Sequence, residues 1–93
     1  MYDVIAIGEA LIDFTPMGTT ADGIPLYAAN AGGGPANLAV AVARLGGSVA
    51  FMGHVGDDVF GRRLVRILGQ EGIDTAGLIR SDAYHTSLAF VQL

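Results

Sequence analysis

The sequence of 93 residues contains no cysteine and no tryptophan, and only 15% of its residues are charged. Without cysteine, the chain can form neither disulfide bonds nor thiolate metal sites. Its start has neither the basic residues nor the apolar run of a secretory signal peptide. The longest helix-like apolar stretch, Pro35 to Leu45, is far shorter than the ~20 residues that span a bilayer. These absences predict a cytoplasmic protein without a membrane segment.

Basic residues are scarce as well. Five Lys and Arg stand against nine Asp and Glu, which gives a formal charge of −4. The basic residues lie scattered between Arg44 and Arg80, so they form no stripe that could follow a phosphate backbone. We therefore expect no binding to nucleic acid.

Apolar residues, in contrast, are abundant and make up 52% of the chain. This composition predicts a packed core and excludes a disordered chain. A domain of this length buries only about two thirds of its unfolded surface, so the apolar content exceeds what it needs alone. We expect the chain to be part of a larger protein.

Short β-branched runs alternate with helical patterns, which predicts an α/β sheet with crossover helices. Pro16 to Gly23 is predicted as a turn region, and Pro25 favours an edge position for the strand that contains it. The helix that begins at Pro35 is apolar almost all round, so we expect it to be covered on most sides. The predicted strands are Tyr2–Ile7, Leu11–Thr15, Ile24–Ala29, Ser48–Gly53, Leu78–Arg80 and Thr86–Leu93.

Three successive glycines, Gly32 to Gly34, precede the first helix and leave backbone N–H groups open to a ligand at its positive end. The segment fails the dinucleotide fingerprint because Asn37 occupies the place of the third glycine. It also lacks the lysine of a P-loop. The pattern favours a polar ligand over a nucleotide phosphate.

Two polar side chains stand near these glycines in otherwise apolar surroundings. Asn37 can both donate and accept hydrogen bonds, as the recognition of sugar hydroxyls requires, and Asp13 can accept two hydroxyl hydrogen bonds. Each could instead serve a local cap or turn. In a doubly wound sheet the end of the first strand and the start of the first helix face one crevice, so the two could converge with Gly33 and Gly34.

Three segments carry a family resemblance: Gly8 to Asp13, Gly32 to Ala39, and Gly56 to Gly61. They resemble the ribokinase (PfkB-type) family of carbohydrate kinases, and its fructokinase branch most. The likeness extends over essentially the whole chain. It implies a doubly wound, three-layer α/β/α sheet with a small β lid. Residues 1–93 would be the N-terminal third of that single domain, with lid segments near 15–30 and 86–93.

The resemblance also implies residue roles. It assigns sugar binding to Asp13, Gly33, Gly34 and Asn37, and it places no catalytic, cofactor-binding or metal-binding residue in this chain. The sites for ATP and Mg²⁺, together with the catalytic aspartate, would lie in a C-terminal part that the chain lacks. We therefore predict that the chain alone is inactive. Through the lid, the resemblance implies a possible homodimer.

The substrate remains open at this point. Ribokinases usually carry asparagine at the position of Leu11 and lysine at that of Gly34, so fructose is favoured over ribose. Kinases of 2-keto-3-deoxygluconate or of a nucleoside, and a non-catalytic α/β sugar-binding fragment, are the alternatives. A nucleotide-dependent oxidoreductase is disfavoured because the glycine fingerprint fails at Asn37.

Other polar residues have simpler interpretations. Asp57 and Asp58 open the second predicted helix, where carboxylates usually cap the helix and offset its dipole. His54 and His85 have no partner at metal-ligand spacing, so structural roles are predicted for both.

Overall fold

A computed structural model describes residues 1–91 of the chain. They form two three-stranded sheets and two helices. In chain order the elements are β1 (Val4–Ile7), β2 (Leu11–Thr19), β3 (Pro25–Gly32), α1 (Gly34–Arg44), β4 (Val49–Gly56), α2 (Val59–Gln70), β5 (Asp74–Ser81) and β6 (Ser87–Phe90). The predicted α/β class is confirmed.

The first sheet, here called the parallel sheet, has the order β1-β4-β5. Its strands are short apolar runs joined by crossover helices, which is the connection that parallel pairing requires. Phe51 lies at its centre and is fully buried, together with Leu64 and Leu68 of α2. Ala39 brings α1 onto the same core. Both helices therefore cover one face of the parallel sheet.

The opposite face of the parallel sheet is apolar and open. Successive strand residues point to opposite faces, so the neighbours of the buried residues form this second surface. Its exposed side chains are Ile5, Ile7, Met52 and Ile79. Within residues 1–91 no second helix layer covers them.

The second sheet, here called the small sheet, has the order β3-β2-β6. β2 pairs antiparallel with β3, which places Asp13 opposite Asn30, and parallel with β6, which places Asp13 beside Ala89. The prediction of an edge position for the strand with Pro25 is confirmed. On one face of this sheet the Phe14 and Phe90 rings stack at 4.9 Å between their centroids.

The predicted turn region from Pro16 to Gly23 is wrong in its first half, because β2 continues to Thr19. Within residues 1–91, the part of β2 beyond Phe14 pairs with β3 alone, so a residue without an N–H group can lie there. The register shifts between Pro16 and Thr19, which accommodates the proline. β3 likewise extends to Gly32, so the first glycine of the triplet belongs to a strand.

Two further strands are longer than predicted. β4 continues to Gly56, and β5 begins at Asp74, because each pairs along its whole length with a neighbour that the sequence pattern does not reveal. The predicted strand Thr86–Leu93 is observed as β6, Ser87–Phe90. Residues 92 and 93 of that prediction lie outside the described residues.

The helices begin and end close to the predicted positions. α1 has Gly33 as N-cap and Pro35 in its first turn, whereas α2 has Asp58 as N-cap. The expectation that α1 is covered on most sides is wrong, since Leu38 and Leu45 on its outer side are exposed. Among residues 1–91, neither helix is long and apolar enough to cross a membrane.

Candidate functional site

Asp13 lies near the start of β2, on the face of the small sheet opposite to the stacked phenylalanines. Its carboxylate approaches Gly32 so closely that a Cβ atom at Gly32 would collide with it. A side chain at this position of β3 would therefore displace the Asp13 carboxylate. Within residues 1–91 no group donates a hydrogen bond to the Asp13 carboxylate, which leaves both of its oxygens available to a ligand.

The glycine turn follows Gly32 directly. Gly33 adopts φ +96°, which disfavours any residue with a side chain, and a Cβ atom there would lie 2.9 Å from the carbonyl oxygen of Glu9. Gly34 opens α1 and is exposed, with free space where a Cβ would stand. No side chain caps this helix end. The turn therefore presents backbone N–H groups beside the Asp13 carboxylate.

Asn37 lies in the first turn of α1, and its backbone N–H donates to the carbonyl oxygen of Gly33 at 2.9 Å. Asn37 and Asn30 border the same cleft of about 300 Å³, which also reaches Arg44 and Glu71. Asn30 is the residue opposite Asp13 in the small sheet. The structure thus places Asp13 against Gly32, next to the glycine turn. Asn37 borders a cleft that includes Asn30 but not Asp13, Gly33 or Gly34.

This arrangement suits a ligand rich in hydroxyl groups. A carboxylate accepts hydrogen bonds, backbone N–H groups donate them, and an asparagine amide does both. Within the part of the chain that the structure describes, no cluster of three or more metal-ligating side chains occurs. The described residues thus offer hydrogen-bond donors and acceptors, but no such cluster, to a polar molecule.

Two neighbours of this site escaped the sequence analysis. Gly32 was part of the family pattern but received no role, although contact with Asp13 explains it. Asn30 lies opposite Asp13, and its side chain amide donates to the Thr15 hydroxyl oxygen at 3.0 Å. The available signal was the polar Asn30 within the apolar run from Leu26 to Ala31, whose pairing partner only the register reveals.

Of the two acidic residues before α2, Asp58 caps the helix, as predicted. Its carboxylate accepts the backbone N–H of Gly61 at 2.7 Å, and Thr86 donates both its backbone N–H at 2.8 Å and its hydroxyl at 2.7 Å. Burial alone would raise the pKa of Asp58, but the hydrogen bonds from Thr86 and Gly61 and the charge of His85 together lower it to about 2. Asp57, in contrast, is exposed and pairs with Arg62 at 3.5 Å.

A larger cleft of about 620 Å³ lies over the open face of the parallel sheet. Ile7, Met52 and Ile79 line its apolar part, and His54 and His85 stand at its border. Both histidines are exposed, and the structural roles predicted for them stay predictions. Gly33 and Gly34 do not line this cleft, but Glu9, whose carbonyl oxygen lies next to Gly33, does.

Comparison with known proteins identifies the family of the chain. The family model described as pfkB family carbohydrate kinase matches residues 1–93. Fructokinase-1 of Oryza sativa subsp. japonica is 48% identical over 92 residues, which cover 97% of this chain and 28% of that protein. The chain thus spans little more than a quarter of the length of this relative.

Solved structures give the same result. The crystal structure of fructokinase from Xylella fastidiosa is 44% identical and superposes with a TM-score of 0.88, covering 97% of this chain and 28% of that one. The fructokinase of Vibrio cholerae O395, solved in a form with bound fructose, ADP and calcium ion, is 39% identical with a TM-score of 0.86 over 96% of this chain and 27% of its own. The chain therefore belongs to the pfkB family of carbohydrate kinases.

Proposed function

We propose that the chain is the N-terminal portion of an ATP-dependent fructokinase, which transfers the γ-phosphoryl group of ATP to the 6-hydroxyl of D-fructose. The observation that carries this proposal is the placement of the free Asp13 carboxylate against the glycine turn before α1. Fructokinase relatives that match almost the whole chain support fructose as the sugar.

In this proposal the sugar is held by four residues. The Asp13 carboxylate accepts hydrogen bonds from two hydroxyl groups, while the backbone at Gly33 and Gly34 approaches the sugar without steric hindrance. Asn37 reads a further hydroxyl through its amide. The absence of a competing hydrogen bond at Asp13 supports this role, because a carboxylate in an internal ion pair would have to break it first.

ATP and Mg²⁺ bind, in this proposal, to the remaining part of the longer protein. Phosphoryl transfer depends on positioning and on neutralising the charge of the transferred group. Residues 1–91 contain no cluster of acidic side chains that could hold the metal for this purpose. The 93-residue chain by itself is therefore expected to bind at most part of the sugar and to phosphorylate none.

The test is a coupled assay of ATP consumption by the longer protein that carries these residues, with fructose, ribose and 2-keto-3-deoxygluconate compared side by side. We expect turnover with fructose, and Asp13→Ala should raise its KM by about 10- to 100-fold, since a hydrogen bond to a charged group contributes about 1.5–3 kcal/mol. Asp22→Ala is the matched control, because Asp22 is an exposed carboxylate in the turn between β2 and β3.

Each other outcome corrects a different part of the proposal. Turnover of ribose or 2-keto-3-deoxygluconate in preference to fructose contradicts the sugar. An Asp13→Ala variant with an unchanged KM contradicts the site. Fructose binding without turnover of any of the three sugars favours a non-catalytic sugar-binding module.

The small sheet is proposed to act as a lid over the sugar and as the contact between two copies of the longer protein. Its outer strands expose large apolar side chains, among them Leu26, Tyr27 and Phe90. Edge strands with such side chains are favourable sites for pairing with a second copy. Sedimentation equilibrium of the longer protein distinguishes a dimer from a monomer.

A further inference from the structure

Three segments of the chain meet at the side chain of Thr86. They are the end of β4 at Gly56, the start of α2 at Asp58, and the start of β6, which Thr86 immediately precedes. The Thr86 hydroxyl donates to Asp58 at 2.7 Å and accepts the backbone N–H of Gly56 at 3.0 Å. Thr86 is only 6% exposed, and it is the one buried polar residue found within residues 1–91. No buried side-chain oxygen or nitrogen of this junction lacks a hydrogen-bond partner.

The glycines of the segment Gly56-Asp57-Asp58-x-x-Gly61 are required by this junction. A Cβ atom at Gly56 would collide with the Asp58 carboxylate and the Thr86 backbone. A Cβ atom at Gly61 would collide with the carbonyl oxygen of Gly56 and lie 3.0 Å from the Thr86 hydroxyl. The two glycines let the three segments approach closely enough for the hydrogen bonds to form.

The junction is connected to the candidate sugar site through β6. Ser87 follows Thr86 and pairs with Leu11, and Ala89 pairs with Asp13. The strand that Thr86 begins is thus hydrogen-bonded along the strand that carries Asp13. A displacement of Thr86 would shift β6, and with it β2, relative to α1 and the glycine turn.

Two further side-chain contacts tie the small sheet to α2. Phe60 packs edge-to-face against Phe14, with 5.5 Å between the ring centroids. The Arg63 guanidinium donates to the carbonyl oxygen of Ala29 through two nitrogens, at 3.1 and 2.9 Å. These two contacts hold the centre and the β3 side of the small sheet. The start of β6 is held by the two hydrogen bonds from Thr86 to Asp58 and by the Gly56 N–H that the Thr86 hydroxyl accepts.

We propose that Asp58 is a positioning residue, which fixes the small sheet relative to the glycine turn and thereby sets the geometry between Asp13 and the sugar. The proposal rests on the sugar-kinase function proposed above. Asp58 does not touch the sugar itself. Its carboxylate binds Thr86 by two hydrogen bonds, and the fixed start of β6 carries the effect to Asp13.

The first experiment measures amide hydrogen exchange in the 93-residue chain. Asp58→Asn keeps the size of the side chain but replaces one acceptor oxygen by an NH₂ group, which cannot accept the Thr86 or Gly61 N–H. We expect exchange in Ser87–Phe90 and Leu11–Phe14 to rise by about ten-fold, as the loss of one such hydrogen bond implies. Exchange in the centre of β4 should stay unchanged. Asp57→Asn is the control, because it removes the same charge from the neighbouring residue.

The second experiment measures kinetics in the longer kinase. Asp58→Asn should raise the KM for the sugar by about ten-fold while the KM for ATP changes little, because ATP does not contact the small sheet in this proposal. Thr86→Val removes the hydroxyl from the other side of the contact and should have the same effect. Thr86→Ser keeps the hydroxyl and should restore the parent values, as should the control Asp57→Asn.

The outcomes separate this proposal from the proposed function. If no sugar is phosphorylated but Asp58→Asn still loosens β6 and β2 selectively, the kinase function is wrong and the anchoring of the small sheet stands. If Asp58→Asn and Thr86→Val leave the KM for the sugar unchanged in an active kinase, Asp58 has no positioning role. Equal increases of exchange in β4 and β6 would make Asp58 a helix cap only. If Asp58→Asn does not fold, the KM for the sugar is compared between Thr86→Val and Thr86→Ser. A KM that is raised only in Thr86→Val supports the positioning role, and equal KM values contradict it.

Discussion

The parallel sheet and the small sheet are built from adjacent parts of one chain, yet they are held in different ways. In the parallel sheet the central side chain, Phe51, is fully buried under two helices. In the small sheet Phe90 is 63% exposed and Tyr27 is 47% exposed. The first sheet is therefore stabilised by apolar burial, which is not directional.

The small sheet contributes one fully buried side chain, Ile12, to the same core, and adds a few directional contacts with α2. These are the Phe14–Phe60 ring contact, the Arg63–Ala29 hydrogen bonds and the Asp58–Thr86 junction. Regions with few buried contacts open at lower free energy than a core. The difference indicates that the small sheet can loosen while the parallel sheet stays folded, as a cover over a ligand would require.

The strongest way to test this contrast is to remove the centre of the parallel sheet. Phe51→Ala deletes a fully buried ring, and we expect the free energy of unfolding to fall by about 3–5 kcal/mol, which is enough to unfold much of the chain. Phe90→Ala removes a ring of the small sheet and should cost only about 1 kcal/mol, the contribution of an exposed aromatic pair. Urea denaturation followed by circular dichroism measures both. Equal losses would contradict the contrast between the sheets.

The second largest effect is expected from acid, which should lower the stability of the chain by protonating Asp58. The pKa of Asp58 is about 2 in the folded chain against an ordinary value of 3.8, so its ionised form is favoured by folding. This stabilisation is fully present above about pH 4 and is lost as the pH falls toward 2, with a size of order 1 kcal/mol. Urea denaturation at pH 5 and pH 2.5 should therefore show that the difference between the parent chain and Asp58→Asn shrinks in acid. A difference that is equal at both pH values would show that the charge of Asp58 contributes nothing.

The smallest effect is expected from Arg63, whose contact with Ala29 lies at the exposed edge of the small sheet. Arg63→Gln should lower stability by less than about 1 kcal/mol, because hydrogen bonds between exposed groups contribute little. Hydrogen exchange should nevertheless rise in β3 and stay constant in β4. Arg44→Gln is the control, since it breaks the ion pair with Glu71 at 2.6 Å, which joins the two helices without touching the small sheet. If the hydrogen-exchange rates of β3 are the same in Arg63→Gln and Arg44→Gln, Arg63 does not help to hold the small sheet.

Local sequence patterns correctly predicted the elements that are determined by residues close together in the sequence. The apolar run at Val4–Ile7, the cap at Asp58 and the helical spacing of Leu64 and Leu68 all lie where the residues indicated. The extension of β2 beyond Pro16 was missed because it depends on a strand with a single partner. Pairing between distant segments decides such boundaries, and a local pattern does not contain it.

The candidate site shows the same division. Asp13 and the glycine segment could be selected from residue chemistry and from the family resemblance, and the structure places them in contact at Gly32. Asn30 could not be selected, because its position opposite Asp13 is a property of the strand register. Thr86 escaped for the same reason: its partner Asp58 lies 28 residues earlier in the chain.

Under the proposal that the chain is the N-terminal portion of a longer kinase, the open face of the parallel sheet has a consequence for the synthesis of that kinase. Ile7 on this face is 71% exposed, and β1 and β5 are both edge strands of the described sheet. A ribosome adds roughly 5–20 residues per second, so the remaining part of a kinase of this family would follow over roughly tens of seconds. During that interval the nascent chain would present both an apolar surface and unpaired strand edges. This stage of synthesis is therefore the one at which a chaperone that binds apolar segments has the most to protect.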